Sequence, residues 1–248
     1  MEIGAQLYTV RDFCKDLDGF SETLKRVADI GYKNVQVSGV CGFEVEWLKQ
    51  QLDTNGLKCV LTHTATDRLE NETQKVAIEH NILDCQYVGL GFYAFTNEEN
   101  STAAFIERYK PVAKELKKNG KYFMYHNHDD EFDKENGILI LDRLAEAFTP
   151  EEMGFILDTY WIQRGGGDPA WWIEKMNGRV PCIHLKDYAC KGKMAVIGEG
   201  NINFDRVFEK AESSGCEYML VEQDECNGEN PFDCLERSYK YLHSLGFE

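Results

Sequence analysis

Short apolar runs alternate along this chain with longer stretches in which apolar residues recur every three or four positions. The runs "IGAQLYTV", "NVQVSGV", "KCVLTHT", "QYVGLGF", "YFMYHNH", "MGFILDT", "VPCIHLKD" and "YMLVEQD" read as eight strands. Their spacing is roughly 30 residues, the size of one strand–helix unit. Between them the helical period dominates. In "FSETLKRVADIG", Phe20, Leu24, Val27 and Ile30 trace one face and Gly31 closes the end. "VEWLKQQLDTNG", "FIERYKPVAKELKKNG", "PAWWIEKMNG" and "FDRVFEKAESSG" repeat the pattern, each ending in a glycine suited to a left-handed cap.

Strict alternation of strand and helix predicts a parallel sheet, and eight repeats in 248 residues predict a closed (β/α)8 barrel, one domain spanning residues 1–248. A doubly wound open sheet is the competing arrangement. It lacks support because no glycine-rich turn follows the first strand. In a (β/α)8 barrel the reactive groups stand at the C-terminal ends of the strands, which tells the eye where to look for chemistry.

Composition narrows the partners. The apolar share of 43% suffices for a full core. No run approaches the roughly 18 apolar residues of a membrane span. The start "MEIGAQLYTV" lacks a basic region followed by a long apolar one, so no secretory leader is expected. Nine cysteines without a CxxC or a regular spacing suit reduced thiols in a cytoplasmic protein, with Cys59, Cys85, Cys182 and Cys216 expected inside apolar segments. A formal charge of −16 repels phosphate backbones and anionic lipid, which excludes nucleic acid and membrane surfaces as partners.

The polar residues that follow apolar runs carry the candidate chemistry. The fifth run ends in His126, Asn127 and His128, the sixth in Asp158, the seventh in His184, Lys186 and Asp187, the eighth in Glu222 and Asp224. Any one of these alone reads as a residue capping a strand end. Together, four successive strands present His126, Asp158, His184 and Glu222 toward one mouth, a mixed nitrogen and oxygen set suited to one divalent ion. Mn²⁺ is the first choice, with Zn²⁺, Co²⁺, Fe²⁺ or Mg²⁺ as alternatives. His128 is two residues from His126, so a regular strand would turn both to the same side and Asn127 to the helical layer. His80 and His243 fall in helical stretches without such company.

The motifs "GAQLYTVRD", "YHNHDDEF", "LDTYWIQRGGGDP", "VPCIHLKD", "IGEGNINF" and "VEQD", in this order, resemble the sugar phosphate isomerases/epimerases of the xylose-isomerase-like barrels, over nearly the whole chain. The resemblance implies a metal held at His126, Asp158, His184 and Glu222, with Glu222 serving as ligand and base together. The family often has a glutamate at the first of these positions, paired with the last glutamate as two bases in ketohexose epimerases. His126 removes one carboxylate, which turns the pattern toward inosose dehydratases and lyases acting on keto-sugars and their glycosides. The shared chemistry is proton abstraction beside a carbonyl to give an enediolate; reprotonation elsewhere isomerises or epimerises, and loss of a β-oxygen eliminates.

Within that reading His128 and Lys186 join Glu222 as candidate catalytic residues, although Lys186 reads equally well as a charge leaving the seventh strand. His63 is a further proton carrier or substrate contact. Gln6 and Tyr8 alternate on the first strand and are expected to face the mouth; Trp161, Gln163 and Arg164 follow Asp158 and are expected to hold a sugar. Glu199 resembles a family loop that closes near the substrate. "RGGGDP" predicts a tight turn before a helix at Asp168 and Pro169, and Trp171 and Trp172 are expected to pack. The leading reading is a metal-dependent isomerase/epimerase-type enzyme on a small-molecule carbohydrate, the alternative a dehydratase or β-eliminating lyase on an inosose or 3-keto-glycoside. An endonuclease at abasic DNA would need a basic cleft, and a non-catalytic barrel would not need the ligand set. The resemblance implies a homodimer, since barrels of this family often pair, or a small companion subunit such as some lyase relatives use.

Overall fold

A computed structural model of the protein describes residues 1–95 and 101–248. Eight strands close into a barrel: β1 Glu2–Gln6, β2 Asn34–Val37, β3 Lys58–His63, β4 Tyr87–Leu90, β5 Tyr122–His126, β6 Met153–Asp158, β7 Cys182–Leu185 and β8 Tyr218–Val221. Every neighbouring pair is parallel, and β1 closes the ring by pairing with both β2 and β8. Each predicted strand is present, shorter at its C-terminal end than the apolar run that announced it. The first is the clearest case. The Gln6 side chain accepts the Tyr8 backbone N–H at 2.9 Å, and Leu7–Phe13 winds into a 3₁₀ helix.

The helices sheathing the barrel are α1 Leu17–Ile30, α2 Val45–Asn55, α3 Thr66–Asn71, α4 Thr73–Ile82, α5 Thr102–Lys118, α6 Ile140–Ala147, α7 Thr159–Arg164, α8 Pro169–Lys175, α9 Phe204–Ser213 and α10 Pro231–Ser244. On α1, Phe20, Leu24 and Val27 are buried as their spacing requires, and Asp16 caps the start by accepting the Gly19 N–H at 2.8 Å. Pro169 opens α8 and Asp168 caps it through the Trp171 N–H. Trp172 is buried whereas Trp171 is half exposed. Cys59, Cys85, Cys182 and Cys216 are buried free thiols. Among the described residues no helix is long and apolar enough to cross a membrane.

The two-residue period of a strand divides its side chains between barrel interior and helical layer. Met124, Ile156, Cys182 and Leu220 pack with Leu61, Val60, Tyr87 and Tyr218 into an inner cluster. Phe123, Tyr125, Phe155, Leu157, Ile183, Leu185, Met219 and Val221 belong instead to the large cluster shared with the helices. Two positions beyond Met124, Ile156, Cys182 and Leu220 come His126, Asp158, His184 and Glu222. The alternation that builds the apolar floor therefore delivers the polar set directly above it.

Candidate active site at the barrel mouth

Register fixes the neighbours. Asp158 on β6 pairs with His184 on β7, and Leu220 on β8 is level with His184, which puts Glu222 one pleat further on. One ligand atom each from His126, Asp158, His184 and Glu222 lies within 4.8 Å of the others, and all four residues are buried. His126 Nε2 is 3.3 Å from Asp158 Oδ2. His184 Nδ1 is 3.7 Å from the same oxygen and 2.9 Å from Glu222 Oε2. Donors about 2.0–2.2 Å from a common ion stand apart by such distances.

The hydrogen bonds around these groups aim them at one point. His126 Nδ1 can only donate to the Gly91 carbonyl oxygen, 3.0 Å away, which leaves its Nε2 lone pair facing Asp158. His184 Nε2 donates to Gln36 Oε1 at 2.6 Å, leaving Nδ1 toward the carboxylates. Nδ1 of His184 is buried without a hydrogen-bond partner, and Oε2 of Glu222 has only ion-pair contacts, with His184 Nδ1 and with Lys186 Nζ, each 2.9 Å away. Electron-rich atoms held this close repel one another unless positive charge stands beside them; the Lys186 ammonium supplies part of it to the carboxylates, and orienting the far ring nitrogen is what outer partners of metal-bound histidines do. The residues fit a divalent ion.

The electrostatics agree. Burial alone would raise the Asp158 and Glu222 carboxyls, but the Lys186 ammonium and the neighbouring histidines outweigh it and hold both well below the usual carboxylate range. Burial opposes charge on His184 too, yet Glu222 and Asp158 raise it: this spot demands positive charge. His126 is lowered by burial and by His184, and so stands neutral. Lys186 is fully buried, with Nζ 3.0 Å from Asp158, 2.9 Å from Glu222 and 3.1 Å from Asp224. Burial opposes its charge, and these three carboxylates restore it and raise Lys186 above its ordinary value. Burial and then Glu222 push Asp224 up to about 7.

Above this cluster opens a cavity of about 650 Å³ whose wall includes His63, His126, His128, Trp161, Lys186 and Glu222. Tyr8, Arg11, Phe92 and Asp224 complete its rim. β5 ends at His126, so His128 reaches the cavity from a loop rather than along a strand; its ring meets His126 edge-on at 4.7 Å and Trp161 at 5.0 Å. That loop is tied down by Glu131, fully buried, which accepts the His128 N–H at 2.7 Å and the Tyr125 hydroxyl. Asn127, between His126 and His128, does not line the cavity: it is buried and its Oδ1 accepts the Asp158 N–H at 3.1 Å, joining β5 to β6 beside the ligands. Burial and His126 push His128 down to about 3. Burial, then His126 and His184, lower His63 well below its ordinary value. Its ring has room because Gly89 on β4 and Gly91 just beyond it carry no side chain; a Cβ at Gly91 would lie 2.7 Å from His63 Nδ1.

Other expected contacts fall elsewhere. Tyr8 lines the cavity, with Arg11 stacked 4.3 Å over its ring, but it does so from the 3₁₀ helix and not by alternating with Gln6. Gln6 is fully buried beside Gln36 in the strand register and lies outside the cavity lining, its Nε2 unpartnered. α7 turns Gln163 and Arg164 outward: Gln163 is exposed beside Asn201 and Arg206, and Arg164 pairs with Asp129 at 2.8 Å. Glu199 is exposed and pairs with Arg237 on α10 at 2.9 Å. Asp187 fixes that outcome, its carboxylate accepting the N–H groups of Tyr188, Gly198, Gly200 and Ile202 and so pinning the loop away from the mouth. Gln36, Arg11, Phe92 and Glu131 were not among the candidates, and Asp224 was placed at the end of the eighth strand without a specific role; for Gln36 the strand period in "NVQV" is a usable signal.

Comparison with known proteins places this architecture. A profile described as xylose isomerase-like TIM barrel matches residues 24–244. An inosose dehydratase of Lacticaseibacillus casei is 22% identical across an alignment covering 90% of this chain and 88% of the relative. The crystal structure of a sugar phosphate isomerase/epimerase from Parabacteroides distasonis superposes with a TM-score of 0.85 at 23% identity, over 99% of this chain and 94% of that one. A probable 3-DHS dehydratase involved in petrobactin synthesis from Bacillus anthracis superposes at 0.74 with 14% identity, over 98% and 99% of the two chains. The protein belongs to the xylose isomerase-like TIM barrel family.

Proposed function

We propose that this barrel is a divalent-metal-dependent enzyme that removes the proton beside the carbonyl of a keto-sugar or sugar derivative. The observation that carries the reading is the set of four buried ligand atoms within 4.8 Å of one another at the base of an open cavity. An ion held by His126, Asp158, His184 and Glu222 would supply Lewis-acid polarisation of the carbonyl and its neighbouring hydroxyl. Lys186 keeps its charge within reach of the same oxygens and stabilises the negative charge that develops as the proton leaves. Glu222 borders the cavity as ligand and base, and His128, neutral with an unpartnered Nδ1, lines the same cavity and is placed to accept or return a proton. Trp161, Tyr8 and Phe92 offer apolar faces to a sugar ring, and the buried cluster excludes bulk water.

Two outcomes share the enediolate. Isomerisation or epimerisation returns the proton to another carbon or face; elimination expels a β-oxygen. His126 favours the second, because it stands where a symmetric two-base epimerase needs a carboxylate, and the relatives at 90% coverage of this chain are inosose dehydratases. The test is a panel of keto-sugars and an inosose incubated in D₂O with the Mn²⁺-loaded protein. Deuterium should enter the carbon beside the carbonyl, with growth of conjugated-enone absorbance marking elimination. Retention of every proton across the panel would refute the reading.

A further inference from the structure

A second cavity, of about 330 Å³, adjoins the first; Ser38, Gly39, His63, Thr64 and Ala65 face both. Its chemistry is different. Val37, Val40, Phe43, Val45 and Leu83 supply an apolar wall. Its polar side chains are satisfied within the protein. Arg68 Nη2 donates to Glu79 at 2.7 Å, His80 bonds Thr62 Oγ1 at 2.8 Å and the Val76 carbonyl oxygen at 2.7 Å, and Ser38 Oγ bonds His63 Nδ1 at 3.1 Å. The one orphan at its edge, His63 Nε2, belongs to a ring packed 5.2 Å from His126 and 5.6 Å from His184 of the main site. Nothing in this second space asks for a polar ligand, whereas the main cavity is edged with unpaired donors and acceptors.

We propose that the second cavity is a subsite for an apolar arm on the substrate, so that the natural ligand is a keto-sugar ring bearing an aryl or alkyl substituent, bound with the ring over the His126–Glu222 cluster and the arm across the Ser38–Ala65 ridge. This rests on the keto-sugar reading above and adds the substituent to it. An apolar space of about 150 Å³ already accepts a benzene ring, so size is no obstacle. Burying such a ring strengthens binding by about tenfold or more.

Titration calorimetry of the Mn²⁺-loaded protein with phenyl and methyl 3-keto-β-glucosides tests it. The phenyl glycoside should bind at least about tenfold tighter. Val40→Trp, which fills the second cavity, should abolish that advantage while leaving the methyl glycoside's affinity unchanged, and Val40→Ala should preserve the advantage. Val45→Trp, filling the space from the start of α2, gives the same readout should Val40→Trp fail to fold. Equal affinities in the unaltered protein, or a phenyl advantage that survives both tryptophan variants, overturns the subsite. Binding of neither glycoside overturns the keto-sugar reading itself, and the arm with it.

Discussion

The barrel interior has a floor and a mouth built by the same strands one pleat apart, and they obey opposite rules. At the floor, Met124, Ile156, Cys182 and Leu220 are completely buried and apolar. At the mouth, His126, Asp158, His184 and Glu222 are almost as buried, yet they face one another with lone pairs and negative charge. Among the described residues, every buried side-chain nitrogen or oxygen without a hydrogen-bond partner belongs to Gln6, Gln36, His63, His128, Trp161, His184, Glu222 or Gln223, that of Glu222 being ion-paired with Lys186. Each of these lies at or just beyond the C-terminal end of a strand. Buried polar atoms left unpaired cost about 1–3 kcal/mol each, so their concentration at one end marks where the fold gives up stability for ligand binding.

Substitutions should separate the two ends. The largest effect is expected at the mouth: His184→Ala or Glu222→Gln should remove the bound ion, measured as metal content after gel filtration, beyond the roughly 10–100-fold loss typical of an outer-shell partner. At the floor, Met124→Ala should cost about 2–5 kcal/mol in denaturant unfolding while metal affinity stays unchanged. Outside the barrel wall, burial pushes His80 down to about 4 from its ordinary 6.5. The unfolded chain then binds more protons, so His80's contribution is complete above pH 6.5 and is lost as pH falls toward 4, by up to roughly 3 kcal/mol. Asp158 and Glu222, held low, contribute their own loss only at more acidic pH, below the ordinary carboxylate range. His80→Gln should therefore reduce the slope of the stability profile between pH 6.5 and 4 by His80's share, leaving the part that His63, His126 and His128 contribute and the acid limb in place. The smallest effect is at Gln36, where Gln36→Leu frees the His184 ring and should weaken metal binding by about 10–100-fold without changing ligand identity.

The same contrast explains what the sequence disclosed. Strand positions were legible because apolar runs must alternate with helices, and His126, Asp158, His184 and Glu222 were legible because each closes such a run. Residues beyond the strand ends were not, since their direction depends on loop and helix geometry that no period encodes. Tyr8 leaves the strand because Gln6 caps a 3₁₀ turn. Gln163 and Arg164 share a six-residue helix with Trp161, and its rotation carries them away from the mouth. Glu199 is claimed by Arg237 from a helix 38 residues later in the chain. Phe92 and Arg11 reach the cavity from connections that carry no distinguishing pattern. Gln36 alone could have been found, by applying to β2 the inward alternation used for β5.

The most direct test is anomalous diffraction from crystals of the protein grown with Mn²⁺. One strong peak is expected, about 2.0–2.3 Å from His126 Nε2, Asp158 Oδ2, His184 Nδ1 and Glu222 Oε2. A peak elsewhere, or none at this cluster under saturating Mn²⁺, would contradict this ligand assignment.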